Sequence, residues 1–450
     1  MPREHQSPRV SYDRWKSKNS IIRQKDLYQR RLPVLIRDRI TFCRSIDFKR
    51  DALRREWNEK RRKLTKEERQ NFQIVVINSP GLKNPTQRRE DVTLSLIEDL
   101  EATQIGPHPV ATVEEYNYSG NDPDSRLSIN NMEPASRLYI VASLVTAEDF
   151  RRVNRVVWDY KRAFGNKTLR EVVLVSTHFP GREDKSGKIN KETGKKTSTG
   201  QTIAVDADLA GLTGSIDRHA NIESHSGAMS GFAADHGVPS VSLSPYKPLL
   251  RAVDERSNFE ITDPILVGPD EGRNFIVDQI ATERRLDRVD LEKDRSPETM
   301  QDTSLEVSAE LLKKLRGKDA LLYDDEGATL GTIRNHIIEK LVPAGVKSIT
   351  ILLAHVRFTN GYFDKKDGKW YQGWEENLNE ILALCNYFKI SFQIFVTNSR
   401  EPVGDLDLYR RKHPNVIHIV DIKDYIKGLL LDDINDKDIF RKRKKEIIMH

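Results

Sequence analysis

The stretch "LLYDDEGATLGTI", residues 321–333, contains the most informative junction of this chain. An apolar run leads into two adjacent acids, Asp324 and Asp325, and a turn of small residues then opens a helix pattern. We expect residues 319–325 to form a buried strand. In an open parallel sheet, ligands bind beyond the carboxyl ends of such strands. A buried pair of carboxylates is costly unless a cation or a hydroxyl-rich group meets it.

The same alternation of strand and helix patterns extends outward in both directions. A first series starts at residue 72 with "FQIVVINSP", followed by the amphipathic run "EDVTLSLIEDLEAT". A second series restarts after Asp263 with "DPILVGPD" and "EGRNFIVDQIATERR". Because the strand runs are apolar on both faces, they are typical of parallel sheets covered by helices. The sequence therefore predicts an α/β fold with two tandem parallel-sheet domains and a helical N-terminal extension.

Length and composition favour a protein with more than one domain and disfavour a membrane-spanning, secreted or disulfide-rich protein. A chain of 450 residues is too long for a single core. No apolar run approaches the roughly 20 residues of a membrane span, and the N-terminus "MPREHQSPRV" lacks the apolar core of a signal peptide. The only cysteines, Cys43 and Cys385, do not suggest a disulfide framework. We expect a cytoplasmic protein.

Positive charge is concentrated at the N-terminus. Residues 1–70 hold 22 Lys and Arg against 10 Asp and Glu, whereas the rest of the chain holds 52 against 58. The extension could contact nucleic acid, or it could pack on its own body or on a neighbouring subunit. Interleaved acids favour packing, and we expect a thin apolar stripe through Leu53 and Trp57 to hold it.

Domain boundaries follow from these patterns. We predict four segments: a basic, mostly helical extension (1–71), an N-terminal α/β domain (72–235), a C-terminal α/β domain (236–432) and a charged tail (433–450). Three polar segments, residues 181–203, 294–306 and 360–373, have the composition of mobile loops.

The turn after the acid pair suits a sugar phosphate. Backbone N–H groups at a small-residue turn that opens a helix can hold a phosphate, with help from the helix dipole. Two carboxylates on the strand side can accept hydrogen bonds from vicinal sugar hydroxyls. The alternative is an acidic turn with an ordinary helix cap. The predicted ribose-phosphate site comprises Asp324, Asp325, Gly327, Ala328, Thr329, Gly331 and Thr332.

This stretch resembles the ribose-binding motif of the ribose-phosphate diphosphokinases, the phosphoribosyl-pyrophosphate synthetases. Their pattern is Val-Asp-Asp-x-x-Asp-Thr-Gly-Gly-Thr-Leu, which the type I phosphoribosyltransferases share. The resemblance implies two phosphoribosyltransferase-like domains in a divergent member of the synthetase family.

Other stretches resemble the synthetases in the same order along residues 72–431. In "IDRHANIESHSGAMSGF", His225 matches the histidine at the metal–ATP complex, and in "DPILVGPDEG", Asp270 matches a magnesium-linked aspartate. In "VDLEKDR", Lys293 matches the catalytic lysine and Arg295 a catalytic arginine. The resemblance thus implies that His225 and Asp270 bind the metal and that Lys293, Arg295 and His225 act in catalysis.

Two further stretches resemble the nucleotide side of the synthetase site. "STHFPGREDK" places Arg182 and Asp184 toward ATP, with Lys185 beside them. "NYSGNDPD" resembles the adenine-side motif only loosely. There the resemblance implies that Tyr118 stacks on the base and that Asp122 or Asp124 contacts it.

The resemblance implies Mg²⁺-dependent transfer of pyrophosphate from ATP to the C1 hydroxyl of ribose 5-phosphate, which yields phosphoribosyl pyrophosphate and AMP. It also implies a dimer-based homo-oligomer. We expect no membrane partner, and nucleic acid is disfavoured as a partner.

Departures from the motif leave other functions open. Ala328 replaces the third acid of the ribose loop, Leu330 replaces a glycine, and Arg273 replaces a glycine after Asp270. Because leucine resists positive φ, we expect an altered phosphate pocket. The alternatives are the same chemistry on a larger ribose phosphate ester such as ADP-ribose, or a non-catalytic regulatory subunit. A phosphoribosyltransferase is disfavoured, since it would leave the doubled α/β unit unexplained.

Overall fold

A computed structural model describes most of the chain between residues 52 and 439. The described residues are 52–53, 55–77, 92–117, 125–165, 167–179, 211–224, 233, 235–269, 274–291, 309–364, 369–400, 406–435, 437 and 439.

Strands and helices alternate through this part of the chain. The strands are β1 Phe72–Ile77, β2 Ala111–Asn117, β3 Ser125–Asn130, β4 Arg137–Ser143, β5 Glu171–His178, β6 Arg218–Ile222, β7 Ser240–Leu243, β8 Pro264–Gly268, β9 Asp287–Asp290, β10 Asp319–Gly327, β11 Ser348–Val356, β12 Tyr362–Asp364, β13 Lys369–Tyr371, β14 Ser391–Thr397 and β15 Ile417–Val420. The helices are α1 Lys66–Gln70, α2 Val92–Thr103, α3 Ala147–Phe164, α4 Tyr246–Arg256, α5 Asn274–Arg284, α6 Ala309–Leu315, α7 Gly331–His336, α8 Val342–Ala344, α9 Trp374–Phe388, α10 Leu406–Lys412 and α11 Lys423–Ile434. A π-helical turn, Ile337–Leu341, joins α7 to α8.

Two sheets confirm the predicted α/β fold. The first has the strand order β3-β2-β1-β4-β5-β6-β7, parallel except for the antiparallel edge strand β3. The second has the order β15-β14-β11-β10-β8-β9 and is parallel throughout. Strands β1, β4, β5 and β11 are buried along their whole length, which explains their uninterrupted apolar sequences.

One hydrophobic core is shared by the two sheets. It contains Tyr139 and Val175 from the first sheet together with Tyr323 and Phe395 from the second. Two further cores cover the other face of each sheet. The shared core brings the carboxyl ends of β5 and β6 near those of β10, β11 and β14, as the hydrogen bonds described below show.

The N-terminal extension is anchored at the opposite, amino ends of the first sheet. Residues 55–62 are helical, and the Trp57 ring lies 3.8 Å from the Arg218 guanidinium carbon. Arg61 pairs with Asp433 at 3.3 Å. Around Trp57 and Arg61 the extension packs on its own body, which is one of the two predicted alternatives, while residues 1–51 lie outside the described residues.

A buried ionic cluster surrounds this anchor. Three neighbouring strands begin with Arg137, Glu171 and Arg218, and both arginines pair with Glu171 and with Asp433 of α11. Burial alone would raise the pKa of Asp433, but Arg218, Arg61 and Arg137 hold that pKa well below its usual value. The cluster ties the C-terminal helix and the extension to the first sheet.

Two predicted boundaries and one predicted loop need correction. Strand β7 pairs with β6, so the first domain runs to Leu243 and does not end at 235. The tail does not begin at 433, because α11 continues to Ile434 and Asp433 is fully buried. The segment 360–373, predicted to be a mobile loop, contains the antiparallel pair β12–β13. The burial of Asp433 depends on Arg137 and Arg218, which are distant in sequence.

Within the described residues, every helix is too short or too polar to cross a membrane.

Candidate functional site

Strand β10 extends further than its sequence suggested. It runs through both acids and ends at Gly327, two residues beyond the predicted end. Burial alternates along this end: Asp325 is buried and Asp324 and Glu326 are partly exposed. Successive side chains of a strand point to opposite faces. Asp324 is therefore the more accessible acid of the pair.

A three-residue loop, Ala328 to Leu330, joins β10 to α7. Its carbonyl groups are occupied by protein donors. The N–H of Thr359 donates to the Ala328 carbonyl at 2.9 Å, and Asn377 Nδ2 donates to the Thr329 carbonyl at 2.9 Å. The Arg334 N–H donates to the Leu330 carbonyl at 2.8 Å. These three bonds hold the loop in place through its carbonyl groups.

The donor side of the loop is available to an anion. Within the described part of the chain, no protein acceptor is in place for the N–H groups of Thr329, Leu330 and Thr332. The Gly331 N–H donates only to Thr329 Oγ at 3.3 Å. Free N–H groups before a helix, together with the helix dipole, favour a bound anion. The predicted phosphate loop therefore has the polarity that phosphate binding requires.

Leu330 adopts the conformation that its side chain was expected to avoid. Its φ is +60°, in the left-handed region. The side chain compensates by packing into the core beside Phe358 and over Gly327, where a Cβ atom would lie 3.3 Å from Leu330 Cδ2. The expectation that leucine would resist positive φ here is wrong, because burial of its side chain offsets a cost of about 1–2 kcal/mol.

Backbone strain is concentrated around this junction. Of the seven described non-glycine residues with positive φ, three lie here: Leu330, Phe358 at +44° and Glu223 at +39°. Phe358 is locked by stacking on Trp374, with ring centroids 4.7 Å apart and an interplanar angle of 11°. Strained residues held by rigid packing are common at ligand sites.

Two histidines, one from each sheet, meet where the sheets come together. The His178 and His355 rings meet edge to face with centroids 4.9 Å apart. His355 Nε2 donates to the Glu223 carbonyl at 2.9 Å, and Arg400 donates to His178 Nε2 at 3.2 Å. These contacts join β11 and β14 of the second sheet to β5 and β6 of the first.

Both histidines are neutral in this arrangement. His178 Nδ1 must donate to the Leu144 carbonyl, 2.9 Å away, so its Nε2 carries the lone pair that Arg400 meets. Burial, the neighbouring His355 and Arg400 hold the pKa of His178 well below its usual value. Burial also lowers the pKa of His355. Neither imidazole is a source of positive charge near pH 7.

Tyr323 connects the two sheets behind the acid pair. Its hydroxyl lies 2.7 Å from Glu223 Oε2 and 2.5 Å from Ser244 Oγ. Since Tyr323 precedes Asp324 directly, this bond fixes the end of β10 against the first sheet. The predicted ribose site thus lies at the carboxyl edge of the second sheet, beside residues of the first.

All of the predicted catalytic, nucleotide-binding and metal-binding residues lie outside the described residues. The predicted ribose loop is described in full, from Asp324 to Thr332. The undescribed ones are Tyr118, Asp122, Asp124, Arg182, Asp184, Lys185, His225, Asp270, Arg273, Lys293 and Arg295. Their predicted roles remain predictions.

No family model matches this chain, and no curated protein matches it in sequence. Among solved structures, it is similar to phosphoribosylpyrophosphate synthetase from Mycobacterium smegmatis. The two share 15% identity with a TM-score of 0.49, over 81% of this chain and 98% of that one. It is also similar to glutamine phosphoribosylpyrophosphate amidotransferase from B. subtilis, with 13% identity and a TM-score of 0.23 over 41% and 36% of the two chains. At such low identity, function must be inferred from the residues of the site.

Sequence reasoning missed five residues that complete this edge: His178, Glu223, His355, Arg357 and Arg400. Each stands at or just beyond the carboxyl end of a buried strand. The signal was present, since an apolar strand run ending in a polar residue marks the ligand-binding edge of a parallel sheet. The sequence did not indicate which strand ends of the first sheet lie next to which strand ends of the second.

Proposed function

We propose that this chain is a Mg²⁺-dependent ribose-phosphate diphosphokinase, which transfers the pyrophosphoryl group of ATP to the C1 hydroxyl of ribose 5-phosphate. The observation that carries the proposal is the junction of β10 and α7, where a strand end with the partly exposed carboxylate of Asp324 leads directly into a loop with available N–H groups. The loop holds the phosphate of the sugar. Asp324, on the accessible face of the strand, accepts hydrogen bonds from its vicinal hydroxyls, for which charged acceptors are stronger than neutral ones. Asp325, buried on the other face, is not assigned a sugar hydroxyl.

The reaction is an in-line displacement. The C1 oxygen forms a bond to the β-phosphorus of ATP, the bond from that phosphorus to the α-phosphate oxygen breaks, and AMP leaves with that oxygen. The hydroxyl proton is released. Such transfers depend on positioning and charge neutralisation. We assign the positive charge that stabilises the transition state to Lys293 and Arg295.

Mg²⁺ fits the chemistry of this edge. In the described part of the chain, no group of three His, Cys, Asp or Glu is arranged as a protein-only metal site. Mg²⁺ needs only one or two protein carboxylates, because substrate phosphates and water supply its other oxygens. We assign the metal to Asp270 and His225, as the resemblance implies. When bound, the ion neutralises phosphate charge.

The conformation of Leu330 favours the simpler acceptor. Its side chain is 3% exposed and belongs to the hydrophobic core of the second sheet. One of the three departures that suggested a larger ester such as ADP-ribose is therefore weakened, and ribose 5-phosphate is the preferred acceptor.

Product analysis tests the proposal. The purified chain is incubated with ATP, Mg²⁺ and either ribose 5-phosphate, ADP-ribose or no acceptor, and AMP and the sugar product are separated by chromatography. We expect AMP to form in equal amounts with phosphoribosyl pyrophosphate, only with ribose 5-phosphate, and not with Lys293→Ala. AMP only with ADP-ribose would move the proposal to the larger ester. No turnover with any acceptor would favour the regulatory subunit.

A further inference from the structure

Two arginines converge on one carboxylate oxygen at the carboxyl edge of the second sheet. Arg357 Nη1 lies 3.6 Å and Arg400 Nη1 3.7 Å from Glu326 Oε1. The three residues belong to neighbouring positions of the sheet, since Glu326 is near the end of β10, Arg357 follows β11, and Arg400 follows β14. Two guanidinium groups therefore lie close to the same carboxylate oxygen at this edge of the sheet.

The pair of arginines lies close to the phosphate loop but does not belong to it. The N–H of Arg357 donates at 3.2 Å to the carbonyl of Gly327, the residue that immediately precedes the loop. The loop N–H groups belong to Thr329, Leu330 and Thr332, further along the chain. A ligand that spans the junction therefore meets two sets of donors, the loop N–H groups and the two guanidinium groups.

The two arginine side chains differ in how freely they can move. The Arg400 side chain is 6% exposed and donates to His178 Nε2, which fixes its position. The Arg357 side chain is 38% exposed while its backbone is held by Gly327. Arg400 is thus a fixed guanidinium group, and Arg357 can turn toward a ligand without moving the strand.

The two ion pairs of Glu326 with these arginines are long. Both separations exceed hydrogen-bonding distance, although arginine and carboxylate can form paired bonds of about 2.7–2.9 Å. A phosphate group carries more charge and more acceptor oxygens than a carboxylate. It would therefore compete effectively with Glu326 for guanidinium donors.

We propose that Arg357 and Arg400 form a second anion-binding position, which takes a phosphate group other than the one held by the loop, with Glu326 as its displaceable counter-ion. The position accepts a phosphate or pyrophosphate group. Its assignment to the transferred pyrophosphoryl group rests on the proposed function. On that assignment, Arg357 contacts the pyrophosphoryl group, and Arg400 fixes the position at which that group is held.

Calorimetric titration with inorganic pyrophosphate in magnesium-free buffer tests the position without turnover. Arg357→Ala is the main variant, because this side chain is half-exposed and its loss leaves the core intact. Arg284→Ala is the matched control, since Arg284 also forms an ion pair, 2.8 Å from Asp254, but lies at the end of α5. Glu326→Gln removes the competing charge and retains the shape of the side chain.

We expect Arg357→Ala to weaken pyrophosphate binding about tenfold or more, the usual effect of losing a charged hydrogen bond. Arg284→Ala should remain within about twofold of the wild type, and Glu326→Gln should bind pyrophosphate more tightly. Ribose 5-phosphate affinity should be nearly unchanged in Arg357→Ala. Absence of pyrophosphate binding by the wild type, or equal binding by the wild type and Arg357→Ala, would overturn the inference.

The pyrophosphate titration and the product analysis can succeed or fail independently of each other. Arg357-dependent pyrophosphate binding without AMP formation would retain the anion position and reject the diphosphokinase. AMP formation together with unaltered pyrophosphate binding in Arg357→Ala would do the reverse.

Discussion

Arg400 donates a hydrogen bond to Nε2 of His178 over 3.2 Å, and this bond joins the second sheet to the first. The donor lies just beyond β14 and the acceptor is the last residue of β5. Because His178 Nδ1 is committed to the Leu144 carbonyl, the bond to Arg400 exists only while the imidazole is neutral. Contact between the sheets is thus coupled to protonation.

Acid should destabilise the chain through these histidines. The pKa of His178 is lowered by burial and by its neighbours, so below the unfolded value of about 6.5 the unfolded state binds a proton that the folded state does not. The stabilising contribution is complete above pH 6.5 and is lost as the pH falls, by up to about 1.4 kcal/mol per pH unit. Urea unfolding between pH 7.5 and 5 measures this loss.

The variant His178→Asn separates the contribution of His178 from that of other titrating groups. One of these is the buried His219, because burial lowers its pKa to about 3. The variant should be less stable than the wild type at pH 7.5 and should lose less stability on acidification. An unchanged difference between pH 7.5 and 5 would assign the acid sensitivity elsewhere.

Substitution of Leu330 should reverse the usual order of alanine and glycine. Leu330→Ala loses buried side-chain volume, for which about 2–5 kcal/mol is typical, and retains the strained φ of +60°. Leu330→Gly loses the same packing but adopts this φ without strain. Urea unfolding should therefore find the glycine variant more stable than the alanine variant by about 1 kcal/mol. The opposite order would show that the loop relaxes out of the left-handed region.

Gly327 is required where the strand meets the loop. A Cβ atom there would lie 2.6 Å from Leu353 Cδ1 and 3.1 Å from Phe358 Cε1. Gly327→Ala should cost about 1–3 kcal/mol by overpacking and should displace the loop. Gly428→Ala is the control, since it lies within α11 with open space around it and should stabilise the helix by about 0.5–1 kcal/mol. Thermal unfolding of both variants provides the comparison.

Asp324→Asn should weaken acceptor binding and leave ATP binding little changed. The amide loses the charge and half of the acceptor capacity of the carboxylate, and about a tenfold loss in ribose 5-phosphate affinity is expected. Calorimetry with each ligand separately measures the two effects. Lost ATP affinity with intact acceptor affinity would mean that the two substrates occupy reversed positions.

The N-terminal anchor should contribute stability and no chemistry. Trp57→Ala removes a buried ring that covers the Arg218 guanidinium, and about 3–5 kcal/mol is typical of such a loss. AMP formation at a temperature where the variant remains folded should equal that of the wild type. Trp158→Ala is the control, since that tryptophan is 72% exposed. Lost activity in a folded Trp57→Ala variant would give the extension a role at the site.

The sequence by itself determined the two α/β units and the strand–loop–helix junction at Asp324. Both are local consequences of side-chain pattern, because apolar runs, small-residue turns and amphipathic periods act over a few neighbouring residues. It also indicated that the extension is anchored through Trp57, since a large apolar residue in a polar helix needs a covered surface.

Only the tertiary structure decided how the site is completed. Arg400 and His178 are separated by 222 residues, and His355 and Glu223 by 132, so no local pattern could pair them. The positive φ of Leu330, the extension of the first sheet to β7 and the burial of Asp433 depend likewise on distant partners. The free energy of these features comes from long-range burial and hydrogen bonding, which overrides local preference at the points where the two sheets meet.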